Sequence, residues 1–309
     1  MQVFDHAAVE AALDWPGLIA ALRDGFASGA AIAPARQSLA IELPGGETAT
    51  LLVMPAWEGG RAIGVKVVTF FPGNAAKGQA TINAGYLLFD GADGHCVAAI
   101  EGDALTARRT AAASALAAEY LVRRDARVLT VVGTGQLAMA VAEAHAAVRS
   151  YDRVLVWGRS PEKAQRVARA LAAKGLAAEA AADLESACRA ADVVSCVTAS
   201  TQPMIRGAWL RPGSHLDLIG AFKADMRESD TLAVTQARVF VDGRPGALLA
   251  GDLAQPAAEG AFDPAAIVAD LAELTRGAPG RRDATERTLF KSVGLSQEDL
   301  LAAMQVAAG

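Results

Sequence analysis

The segment with the most specific chemistry is a glycine turn, Gly133-Thr134-Gly135-Gln136, between a β-branched run and an alanine-rich stretch. Leu129 to Ala138 fits GxGxxA, the alanine form of a dinucleotide fingerprint. Gly133 permits a tight turn, and Gly135 has no Cβ to block a pyrophosphate. Ala138 lets the helix pack close to the sheet, and the helix N-terminus faces the anion. The fingerprint also demands a second strand, whose end selects the cofactor. That strand ends Val156-Trp157-Gly158-Arg159-Ser160. No carboxylate stands there to bond a ribose 2′-hydroxyl. An arginine followed by a hydroxyl suits a 2′-phosphate instead, so NADP(H) is preferred and NAD(H) is the alternative. Thr198, after the apolar run Val193 to Val197, is a further candidate cofactor contact.

Three cations are candidates for a substrate. Lys66 interrupts the apolar run Ile63 to Val68; by period two it shares a face with Gly64 and Val68. A lysine so placed is ordinarily an edge-protecting surface residue. Arg108 and Arg109 fall in the first turn of a helix that Thr106 would cap. Cations there face the positive end of the helix dipole, which a bound anion would offset. Arg36, after Pro34 and before a strand, is unremarkable by itself.

These residues need elements to hold them. Residues 6–28 read as an amphipathic helix interrupted at Pro16. Alternating stretches follow at Ser38–Glu42, Thr48–Met54, Ile63–Phe70 and Ile82–Asp90, separated by glycine turns, as in hairpins of an antiparallel or mixed sheet. Ala107 to Arg124 reads as helix. From Arg127 the rhythm changes to buried strands alternating with helices: Val128–Val132, Gln136–Val148, Val154–Trp157, a helix opened by Pro161, a weak strand near Ala177, a short helix capped by Asp183, then Val193–Val197, Leu216–Ile219 and Val239–Val241. That alternation predicts an α/β fold with a parallel sheet and helices on both faces. From Gly280 the pattern turns irregular and closes with a helix from Gln297.

The 309 residues suit two domains. A net charge of −5 and the absence of a basic run argue against nucleic-acid and membrane partners. The N-terminus lacks a secretory pattern, and no apolar run is long enough to span a bilayer. Cys96, Cys188 and Cys196 form no CxxC pair and read as reduced thiols of a cytoplasmic protein. Four scattered histidines offer no metal-ligand spacing, so no metal is expected.

Taken together, the chain resembles the ornithine cyclodeaminase/mu-crystallin family along nearly its whole length. The resemblance rests on Arg36, Met54-Pro55, Gly64-Val-Lys66, Pro72-Gly-Asn74 and Leu105-Thr106-Ala-Arg-Arg109-Thr110. It continues through Val132-Gly-Thr-Gly-Gln136, Gly213-Ser-His-Leu-Asp-Leu-Ile-Gly-Ala221, Arg227-Glu228-Ser-Asp230 and Thr288-Leu-Phe290-Lys-Ser-Val-Gly294. It implies a homodimer. It also implies a Rossmann domain, residues 122–280, inserted in a smaller α+β substrate-binding and dimerisation domain formed by 1–121 and 281–309. By resemblance, Arg36, Lys66 and Arg109 hold the carboxylate of a small imino or amino acid, with Lys66 and Arg109 the catalytic pair.

Two departures from true cyclodeaminases matter. Val53 stands where those enzymes carry an acid before Met-Pro. Gly220-Ala221-Phe222 replaces a Gly-Gly-Asp whose aspartate handles the substrate amine. Phenylalanine cannot take a proton, but its ring can cover an apolar substrate ring. The resemblance is therefore closer to the ketimine reductase branch, and implies NADPH-dependent reduction of a cyclic imino acid of the pyrroline- or piperideine-2-carboxylate type. The alternatives are ornithine cyclodeamination with NAD, an alanine dehydrogenase-like reaction, and a non-catalytic binding protein like mu-crystallin.

Overall fold

The alternating runs of the first hundred residues pair into a 6-stranded sheet in the order β1-β6-β5-β4-β3-β2. In the computed structural model, which describes residues 1–308, these are β1 (Gln2–Phe4), β2 (Gln37–Glu42), β3 (Thr48–Glu58), β4 (Ala62–Phe70), β5 (Ile82–Asp90) and β6 (Cys96–Glu101). β2 through β6 pair antiparallel, and β1 joins β6 in parallel. β1 and β6 carry too little alternation to be read in advance. β3 continues past Met54 through Pro55, because β2 pairs only as far as Val53 and the missing N–H breaks no ladder bond.

The predicted helix over 6–28 is two helices, α1 (His6–Ala12) and α2 (Trp15–Ser28). Asp14 caps α2 by accepting from Gly17 N at 2.9 Å, with Pro16 in the first turn, where no donor is lost. The C-terminal helix (Ser296–Ala308) packs on α2, β3 and β4. Together these elements form one compact unit, Met1–Arg109 with the chain from Leu295 on.

The second unit, Thr110–Gly294, carries an 8-stranded parallel sheet in the order β13-β12-β14-β11-β10-β7-β8-β9. Its strands are β7 (Val128–Val132), β8 (Arg153–Trp157), β9 (Ala178–Ala180), β10 (Val193–Cys196), β11 (His215–Leu218), β12 (Arg238–Val241), β13 (Ala269–Asp270) and β14 (Thr288–Lys291). Because side chains alternate across a strand, two apolar clusters form. Leu129, Val131, Val154 and Val156 pack with Ala138, Ala142, Ala164 and Leu171. Val132, Val194, Cys196, Leu216, Leu218 and Leu289 pack with Cys188, Val239 and Phe262.

Two boundaries differ from the sequence reading. The division after residue 121 falls earlier, at Arg109/Thr110, within α3 (Gly102–Leu121). The one at 280/281 falls later, because Thr288–Lys291 is no irregular segment. It is β14, buried between β11 and β12, so the parallel unit runs to Gly294.

Candidate functional site

In the second unit the glycine turn opens a cleft of ≈ 720 Å³. Gly133 has φ +134°, and a Cβ there would stand 2.9 Å from Val197 O, so glycine is required. A Cβ at Gly135 would meet nothing within 4 Å: it would project into open space where a dinucleotide's phosphates need close backbone approach. Gly135 also caps α4 (Gln136–Val148) without a side-chain bond. The residues present therefore fit a dinucleotide. Gly133, Thr134, Gly135, Arg159, Ser160 and Thr198 all line the cleft, whereas the exposed Gln136 does not.

Trp157, Gly158, Lys163 and the segment Val197–Met204 line it as well. Lys163 went unread because it sits one turn inside α5 (Pro161–Ala173), where it looks like a solvated helix cation. Its spacing of four from Arg159 was the available signal. Ser160 caps α5, accepting from Lys163 N at 3.3 Å, while its hydroxyl donates to Glu162 at 2.7 Å. The floor of the cleft is tied by Glu228, fully buried. Its carboxylate accepts from Thr198 N (2.7 Å) and Oγ1 (2.9 Å), Gly220 N (2.8 Å) and Ala221 N (3.3 Å). Burial, and then the charge of Asp252, push that carboxyl up to about 8. Phe222 follows in the same loop, half-buried, with the Lys223 ammonium 5.7 Å from its ring centroid.

In the first unit the structure corrects the surface reading of Lys66. β4 is an inner strand, and the Gly64/Lys66 face is the buried one. Lys66 is 1% exposed. Its Nζ donates to Asp299 Oδ1 at 2.7 Å and to Thr106 Oγ1 at 3.4 Å. Arg109 donates to the same Asp299 oxygen through Nε (2.9 Å) and to Glu298 through Nη1 (2.7 Å). Nη2 takes part in neither bond. Burial, then the neighbouring Arg109 charge, lower the Lys66 ammonium to about 8, and Asp299 opposes both. Tyr86, directly across the sheet from Lys66, is buried and its hydroxyl has no hydrogen-bond partner among the described residues. Gly64 is needed beside it, since a Cβ there would lie 1.9 Å from the Tyr86 oxygen.

α3 begins at Gly102, not Ala107. Glu101 rather than Thr106 ties its first amides, accepting from Asp103 N and Ala104 N. The two arginines thus lie beyond the first turn, and the dipole argument for an anion there does not hold. Arg108 stacks 4.2 Å over the Trp15 ring and donates to Glu10 O at 3.0 Å, a structural role. Arg36 sits half-buried in the segment leading into β2. Asp299 and Glu298 were missed. Acids in the first turn of a helix read as dipole partners, and Asp299 is 233 residues from Lys66, so nothing local links them.

His145 and His215 lie in the core. His145 Nε2 is 2.9 Å from Ser114 Oγ and 3.3 Å from Asp217, which also accepts from Ser114 and from Ser195 (2.6 Å). All four side chains are wholly buried, and the serine–histidine–aspartate group ties α3, α4, β10 and β11 together through these bonds.

Against known proteins, the model of the ornithine cyclodeaminase/mu-crystallin family matches residues 5–308. A Delta(1)-pyrroline-2-carboxylate reductase of Paracoccus denitrificans is 41% identical over 300 residues, covering 96% of this chain and 92% of that one. The structure of Thermococcus litoralis Delta(1)-pyrroline-2-carboxylate reductase with NADH and L-proline superposes with a TM-score of 0.94 at 32% identity, over 100% of this chain and 97% of that one. An archaeal alanine dehydrogenase dimer with bound NAD superposes with a TM-score of 0.92 at 27% identity, over 100% and 95%.

Proposed function

The chain belongs to the ornithine cyclodeaminase/mu-crystallin family, and we propose that it reduces the C=N bond of a cyclic imino acid of the pyrroline-2-carboxylate type, with NADPH preferred over NADH. It is an NAD(P)-dependent oxidoreductase acting on C=N bonds. When bound in the glycine-turn cleft, the reduced nicotinamide supplies hydride. The imine carbon accepts it, and the ring nitrogen must gain a proton.

The observation that carries the reading is the placement of Lys66, a buried ammonium that shares Asp299 Oδ1 with Arg109. Lowered to about 8 there, it gives up a proton near neutral pH more readily than an ordinary lysine. Lys66 and Arg109 are already matched by two carboxylates. They therefore serve less as a bare anion clamp than the family resemblance implied. Lys66 is the proton donor, Arg109 Nη2 orients the substrate carboxylate with help from Arg36, and Phe222 covers the ring. Phe222 also argues against cyclodeamination, since the loop after β11 offers no carboxylate at that position to handle a departing amine.

The NADPH preference is supported by Arg159 and Lys163 at one edge of the cleft, two cations suited to a 2′-phosphate. Val3, Leu39, Ile63, Val67 and Leu87 are exposed and share one face of the 6-stranded sheet by register. An apolar face of that kind supports a homodimer in which a second copy covers it. Among the described residues no helix is long and apolar enough to cross a membrane.

The test is a panel of five- and six-membered cyclic imino acids with NADPH and NADH, run on the wild type and on Arg159→Ala. We expect cyclic amino acid product, faster at low NADPH than at low NADH. Arg159→Ala should raise the NADPH KM by about tenfold or more, the worth of one charge-assisted bond, with little change for NADH. Release of ammonia and proline from ornithine with NAD, without imine reduction, would replace this reading by cyclodeamination.

A further inference from the structure

Resting on imine reduction as the reaction, we infer that Asp299 is a positioning residue that keeps Lys66 charged as the proton donor, a role no catalytic pair of Lys66 and Arg109 alone could sustain. The groups facing Lys66 come from every element packed on it: Arg109 and Thr106 from α3, Tyr86 from β5, and Asp299 and Glu298 from the C-terminal helix. Two of these are carboxylates and one is a guanidinium. Without Asp299, the lysine would share a dry site with Arg109, and both burial and like charge would favour the neutral amine.

The geometry makes Asp299 specific for this task. One oxygen, Oδ1, receives both Lys66 Nζ and Arg109 Nε, so a single atom fixes the spacing of the two cations. Oδ2 is buried with no hydrogen-bond partner among the described residues. A carboxylate oxygen left bare in a core carries a cost that a purely structural ion pair would ordinarily avoid. With a reduced nicotinamide held at the glycine turn, hydride would reach the imine carbon, the C=N π pair would move to nitrogen, and that nitrogen would take its proton from Lys66. The Nζ–H bond breaks as the N–H bond forms. Lys66 is left neutral, and solvent reprotonates it after release. Asp299 stays ionised throughout.

The experiment reads Lys66 directly and does not depend on turnover. Lysine Cε/Nζ resonances are followed by NMR across pH 6–11 in the full chain, with the Lys66 signal assigned by its loss in Lys66→Arg. The wild-type midpoint should lie near 8. In Asp299→Asn it should fall by about one to three units, the effect of losing an opposite charge at contact distance. The alkaline limb of kcat should move down with it, and Asp299→Glu should recover most of both. If Asp299→Asn does not fold, Glu298→Gln takes its place: it removes the more distant carboxylate and should lower the midpoint by a smaller amount. An unchanged Lys66 midpoint in folded Asp299→Asn overturns the inference, as does a lowered midpoint with the kcat limb unmoved. If the wild type reduces no imine while the midpoint still moves, it is the assigned reaction that fails, and the control of Lys66 by Asp299 stands.

Discussion

Lys66→Ala is expected to cut kcat/KM for imine reduction by about 10²–10⁴-fold, the usual contribution of a positioned general acid. The loss should fall mainly on kcat, because the proton is needed in the transition state and not for binding. Removing the ammonium also leaves Asp299 with Arg109 alone, so some stability goes with it. Breaking a buried pair outright costs about 3–5 kcal/mol, and the surviving Arg109 bond places this variant toward or below the low end. Lys66→Arg separates the two effects. Arginine keeps a cation for Asp299 but stays protonated at every working pH, so it gives up no proton. Lys66→Arg should fold, bind dinucleotide as the wild type does, and still lose most of kcat. Quenching of Trp157, which lines the cleft, reports the binding. The wild type should also lose about tenfold in kcat per pH unit above about 8, as the ammonium titrates. A Lys66→Arg enzyme with near wild-type kcat would remove proton donation from the mechanism.

What could be read in advance follows from how local each signal is. The parallel unit was legible because its information is short-range: β7, the Gly133 turn and α4 lie within 21 residues, and buried β-branched runs mark the strands. β14 was missed for the opposite reason. Thr288–Lys291 holds a threonine and a lysine and lies between β11 and β12 only through long-range parallel pairing. Its lysine is tolerated there because Nζ reaches Asp252 at 3.1 Å in a wholly buried pair. Lys66 was misread by itself on the same ground. Period two correctly placed it with Gly64, but only the strand order shows which face is buried, and only the C-terminal helix supplies its counter-charge. The family resemblance raised Lys66 and Arg109 to candidates and was silent on Asp299, whose sequence context is an ordinary acidic helix start.

The Arg227-Glu228-Ser-Asp230 block illustrates this further, and it carries the second large effect. Glu228→Ala is expected to destabilise the chain by about 3 kcal/mol and lower its Tm by about 5–10 °C. Two terms oppose. Glu228 is a buried carboxylate near Asp252, whose amide bonds (Glu228 N at 2.8 Å and Ser229 N at 3.1 Å) hold the two acids close, and burial with that repulsion pushes Glu228 up to about 8. Removing it ends the cost of burying a carboxyl beside Asp252, a cost that protonation already limits near neutral pH, and leaves Lys291 to balance Asp252 alone. Against this, Thr198, Gly220 and Ala221 lose their acceptor together, and each unpaired buried donor costs about 1–3 kcal/mol. Donors outnumber the relieved repulsion, so the net sign is destabilising. Their neighbourhood also cannot collapse to compensate: a Cβ at Gly220 would already lie 2.0 Å from Thr198 O, so the two strand-end loops are at closest approach. Because Thr198 lines the dinucleotide cleft, the same variant should weaken NADPH binding by about tenfold, one hydrogen-bonded contact's worth of misplacement. Glu228→Gln should fall between, since its NH₂ group must face at least one backbone donor. Thermal unfolding and NADPH titration of the three proteins check the order, and a Glu228→Ala variant as stable as the wild type would mean that the repulsion outweighs the donors.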